Sequence, residues 1–147
     1  MKLKKICLIT LIAILFSCNA FAVDLKTVSC SLLSSTALVD MKTASTKRVL
    51  YTVPTGKTAI IMFVVVRSPS GSLSGGTSYA FGSSATCNDW KTGVSLTAMT
   101  ATTDAIVIDP NNAKFTHTVA AGTFGMYITT GATNAATATI DVFGEIF

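Results

Sequence analysis

Histidine is almost absent from this chain, with His117 the only one. Any site that needs two imidazoles is thereby excluded. Glutamine is missing and glutamate occurs once, as Glu145, so long charged helices have little to be built from. Charged residues are 12% of the total against 50% hydrophobic ones, and the mean hydropathy is +0.58. That balance excludes intrinsic disorder. Beyond the first two dozen residues no apolar run reaches membrane-spanning length. With 147 residues there is room for one domain.

The first residues have the pattern of an export signal. Lys2, Lys4 and Lys5 are followed by the apolar stretch from Ile6 to Phe16, then by Asn19-Ala20-Phe21-Ala22. Small residues stand at the two positions a signal peptidase inspects, which predicts cleavage after Ala22 and a domain spanning residues 23–147. The competing pattern is a lipoprotein signal, Leu15-Phe16-Ser17-Cys18, with Cys18 as the lipidated residue. Bulky Phe16 fits that pattern poorly. The expected destination is the periplasm, the cell surface or the medium of a bacterium.

Cleavage changes the charge and cysteine counts. Three of the 11 basic residues leave with the signal, so eight remain against 7 acidic ones. Too little positive charge is left to neutralise a row of phosphates, which argues against a nucleic-acid partner. Cys7 and Cys18 leave too. Cys30 and Cys87 remain, and in an oxidising compartment they are expected to pair. Loop entropy would make such a disulfide worth roughly 3–4 kcal/mol. Two free thiols are the alternative.

The remainder is rich in Thr, Val, Ile and Ala, which suit a pleated surface. Expected strands are Arg48–Val53, Thr58–Ser68, Ser78–Gly82, a short buried Ala105–Ile108, Lys114–Val119, Phe124–Thr130 and Ala136–Phe147, with an edge strand near Val28–Leu33. The run from Ala59 to Val66 is continuously apolar, as in a strand buried on both faces. Pro54-Thr55-Gly56-Lys57 and Asp109-Pro110-Asn111-Asn112 are turns, and Ser70 to Thr77 is a loop. In the last strand Ile140, Val142 and Ile146 share one face, and Phe143 and Phe147 the other. Gly144 invites a bulge or a close backbone approach. Seven to nine short strands with regular turns predict an all-β, two-sheet antiparallel sandwich of jelly-roll type.

The segments Tyr51–Thr58, Val65–Leu73, Gly75–Gly82 and Ala136–Gly144 resemble a group of small uncharacterised bacterial and phage-associated β-sandwich proteins. The likeness runs from Leu50 to Phe147. It implies the same fold and no particular activity, and the export signal departs from a virion setting.

Candidate chemistry is sparse. His117 could serve as a base or a ligand, but a strand histidine among threonines is the simpler reading. Gly71-Ser72-Leu73-Ser74-Gly75 centres on Leu73, not on serine, so it is not a nucleophile elbow. Asp141 and Glu145 share a strand face about 13 Å apart, too far for a glycosidase pair. Asp109 and its neighbours offer oxygen ligands for Ca²⁺ without a bidentate glutamate. No catalytic residue, metal ligand or cofactor is therefore assigned. The best binding candidate is Tyr79, Asn88, Asp89 and Trp90, with Phe81 nearby. Aromatic rings beside amide and carboxylate groups can hold a sugar, although such rings are as readily core.

The sequence thus points to an exported, non-enzymatic surface, assembly or interaction protein. Its expected partner is another protein or a second copy, with no membrane span once the signal is removed. The alternative is a module binding carbohydrate or a small ligand through the Tyr79/Phe81/Trp90 region.

Overall fold

The computed structural model describes residues 30–111, 117–120 and 122–147. The expected signal segment and Asn112 to Thr116 lie outside them. Nine strands run in chain order: β1 (Ser31–Asp40), β2 (Lys47–Thr52), β3 (Thr58–Arg67), β4 (Ser78–Gly82), β5 (Lys91–Val94), β6 (Ala105–Ile108), β7 (His117–Ala120), β8 (Thr123–Thr130) and β9 (Thr137–Ile146). No helix among the described residues is long and apolar enough to cross a membrane.

Two antiparallel sheets pack on each other. Sheet A has the order β1-β9-β3-β6, and β7 also pairs with β3. Sheet B has the order β2-β8-β4-β5. On the free edge of β3, β6 takes Val64 to Arg67 and β7 takes Thr58 to Ile61, so the two act as pieces of one strand position. With that position counted once, the pairs nest: first with last, second with second-last, and inward to β4 with β5. This nesting is the jelly roll, and it bears out the expected sandwich.

The core lies between the sheets, where alternate side chains of each strand meet. In β3 these are Ala59, Ile61, Val64 and Val66, and in β9 Ala138, Ile140 and Val142, all buried. The step from Ile61 to Val64 breaks the alternation because β3 carries a bulge between Ile61 and Phe63. Gly144 faces that bulge. A Cβ at Gly144 would sit on the Ile60 carbonyl oxygen, so the close approach expected there is the reason for glycine. β9 lies between β1 and β3, as an integral strand and not a tail.

One end of the sandwich is closed by four connections tied to each other through the backbone. Met41 N–H donates to the Ala136 carbonyl (3.0 Å), Thr133 N–H to Ser74 (2.8 Å), Leu73 N–H to Met99 (2.8 Å) and Leu96 N–H to Gly76 (2.9 Å). Met41, Leu73, Leu96 and Met99 are fully buried there. Leu73, the lone large apolar residue of the glycine-rich loop, is what pins that loop to the core.

One strand was not expected, and two expectations need correction. β5 has no sequence signature, because only Val94 of its four residues is buried and it pairs with β4 alone. β6 is not a buried strand. It lies on the edge, and Val107 is 60% exposed. The Cys30–Cys87 disulfide is not formed, and both residues are free thiols. Cys30 is exposed at the head of β1 in sheet A, whereas Cys87 is buried in the β4–β5 connection of sheet B and donates to the Ser84 carbonyl at 3.7 Å.

Candidate functional site

The aromatic cluster lies mainly inside the sandwich. Tyr79 and Phe81 point inward from β4 and are fully buried, and Trp90 is 1% exposed. The Tyr79 hydroxyl donates to the Met41 carbonyl at 2.8 Å. The Trp90 indole N–H donates to the Ile61 carbonyl at 3.3 Å, and its ring meets Phe124 edge-on at 5.4 Å. Burial pushes the Tyr79 phenol up to about 12. The polar ends of these rings are satisfied within the protein, and their faces are covered by apolar neighbours. None offers a stacking surface to a sugar.

Asn88 and Asp89 do sit beside Trp90 at the surface, but they serve their own loop. Asp89 accepts from the Ser83 and Ser84 amides at 2.9 and 3.1 Å and from the Ser83 hydroxyl. Burial alone would raise its pKa; the bonds from Ser83 and Ser84 outweigh that and hold it at about 2. A Cβ at Gly82 would strike this carboxylate, so Gly82 makes room for the clamp. Ser84 Oγ donates to Asn88 Oδ1 and accepts from the Asn88 amide, both at 3.1 Å. Lys47 Nζ closes the loop from outside through the Ser83 carbonyl at 2.7 Å. Cys87 is sealed beneath it. Desolvation, reinforced by the Asp89 charge and partly offset by Lys47, pushes its thiol up to about 11, which makes it a poor nucleophile at neutral pH.

The remaining candidates do not converge. His117 stands opposite Ile61 on β7. Asp109 is exposed, and the Asn111 side chain reaches Thr92 at 3.4 Å. No group of three His, Cys, Asp or Glu residues that could hold a metal occurs among the described residues.

What the sequence did not single out is the outer face of sheet A. Cross-strand partners share a face, so the register places Leu32, Phe143 and Phe63 in one row across β1, β9 and β3. A second row holds Ser35, Asp141, Val65 and Val107. Phe63 and Phe143 stack with centroids 4.7 Å apart and planes 18° apart. Leu32 is 53% exposed. Beside the stack, Asp141 accepts from Arg67 Nε at 2.6 Å, from Arg67 Nη2 at 3.3 Å and from the Ser35 hydroxyl at 2.5 Å. Burial would raise the Asp141 carboxyl, but Arg67 and Ser35 bring it below its usual value. The Arg67 side chain remains 43% exposed above the carboxylate. The visible hint was Phe143 alternating against Ile140 and Val142; which residues of β1, β3 and β6 join it depends on long-range register.

The outer face of sheet B is different. Lys47 lies across Gly125 and reaches the Thr123 carbonyl at 3.2 Å, so an ammonium group crosses that surface.

Comparisons with protein-family models, with curated proteins and with solved structures each returned no match.

Proposed function

We propose that this is an exported, non-enzymatic interaction or assembly protein whose docking surface is the outer face of sheet A. The carrying observation is the stacked, half-buried Phe63–Phe143 pair in an apolar row that runs on to exposed Leu32 across three strands. A sheet face of this kind is ordinarily polar when it faces water, and a contiguous apolar patch marks an interaction site. Ser, Thr and Ala around it carry little side-chain entropy and little charge, so covering them costs little. The resemblance to small β-sandwich proteins of no assigned activity is compatible with such a role. The glycan alternative has lost its support, because Tyr79, Phe81 and Trp90 are core residues.

Chemical crosslinking in intact cells, followed by detection of this chain, tests the reading. The wild-type chain should give a crosslinked species. A Leu32→Lys/Val107→Lys variant, with two ammonium groups placed at exposed positions of the face, should lose it. The same crosslinked pattern in both proteins, or none in either, would refute the reading.

A further inference from the structure

Resting on that docking reading, we infer that the occupant of the outer face is a second copy of this chain, related by a two-fold axis parallel to the strands between β3 and β9.

The placement of charge favours a copy over a foreign partner. Arg67 and Asp141 form a cation–anion pair among the apolar residues, on adjacent central strands, and Glu145 stands on the same face of β9 one row beyond Phe143. The Arg67 side chain stays 43% exposed, so a foreign surface would need an acceptor placed over it at the same spacing. A second copy brings its own. The proposed axis splits the four-strand path β1-β9-β3-β6 into equal halves. It lays Phe63 of one copy over the partner's Phe143 and the reverse, which is the self-complementarity an isologous contact requires. It also sets each Arg67 guanidinium beside the partner's Asp141. Asp141 is 9% exposed and already neutralised by its own Arg67, so the four groups can be covered together without stranding a bare charge. The edge residues agree with this arrangement. β1 of one copy overlies the partner's β6, so exposed Leu32 falls near the partner's Val107, one row along.

The size of the face sets the expected strength. Four strand positions about 4.8 Å apart, the last shared by β6 and β7, each giving roughly eight residues of about 3.3 Å, make a face of about 500 Å². Two such faces bury about 1,000 Å², at the lower bound for a specific interface. Sheets stack face to face with their strands within about 30° of each other, a packing the axis permits. The contact closes on itself, so association stops at the dimer.

Light scattering on the purified exported protein, from about 1 to 100 µM, tests the inference against mass action. The wild-type mass should rise with concentration toward twice the chain mass. Leu32→Lys and Val107→Lys, each tested alone, should stay at the monomer mass across the range, with far-UV circular dichroism unchanged. A wild-type protein that is monomeric throughout overturns the inference. So does a dimer that persists in both lysine variants, because it would use another surface. A monomeric wild type that still gives a face-dependent crosslink in cells, at a mass other than twice the chain, overturns the second copy while the docking reading stands. A monomer with no face-dependent crosslink overturns both.

Discussion

Replacing Trp90 with alanine separates a core tryptophan from a binding one. Trp90 is 1% exposed, meets Phe124 edge-on and donates to the Ile61 carbonyl. A buried tryptophan withdraws up to about 250 Å² from water, which at about 25 cal/mol per Å² is roughly 6 kcal/mol as an upper bound. Compactness of the unfolded chain trims such figures by roughly 10–40%, and alanine keeps its own Cβ. We expect Trp90→Ala to cost about 4 kcal/mol, within the range of about 3–5 kcal/mol for core tryptophans. That is a large share of the roughly 5–15 kcal/mol that holds a domain together. Trp90→Phe keeps a ring against Phe124 and loses the bond to Ile61, so its cost should be about 1–2 kcal/mol. Urea unfolding followed by far-UV circular dichroism reads both, because the variants have no indole fluorescence. The shift should appear in the midpoint at constant slope. A loss under about 1 kcal/mol for Trp90→Ala would refute the core assignment and return Trp90 to the list of ligand-facing residues.

Other outcomes follow from single contacts. Gly144→Ala should cost about 1–3 kcal/mol in the same denaturation assay, since its Cβ would fall on the Ile60 carbonyl oxygen at the β3 bulge. Ser34 Oγ is buried with no hydrogen-bond partner among the described residues, so Ser34→Ala should stabilise by about 1 kcal/mol, read as a raised urea midpoint. Asp89 is held at about 2 against an ordinary 3.8, so its contribution is present above pH 4 and is lost as pH falls toward 2. Asp89→Asn should therefore be less stable at neutral pH and show a flatter stability profile between about pH 4 and 2. In a chain lacking residues 1–22, and so Cys7 and Cys18, a thiol reagent should label Cys30 in the native state and Cys87 only after unfolding. An intact mass two hydrogens light would instead show them paired.

The sequence by itself determined the strands with strong local patterns. Ser78–Gly82 and Ala105–Ile108 stand where the alternation and the turn residues put them, and Thr58–Arg67 and Thr137–Ile146 lie within a residue or two of expectation. Gly144 was legible as a close approach because glycine inside an apolar strand has few other uses. β5 was not legible, because Lys91-Thr92-Gly93-Val94 becomes a strand through β4 and not through its own residues. Only the tertiary structure decided which aromatic residues face water. Tyr79 and Trp90 look like binding residues beside Asn88 and Asp89, yet the opposite sheet covers them, while Phe63 and Phe143 come together from residues far apart in sequence. Side-chain alternation along a strand is local, so a sequence shows that two faces exist. Which face is covered depends on the partner sheet, and which residues meet across it depends on register; both arise from contacts between distant segments.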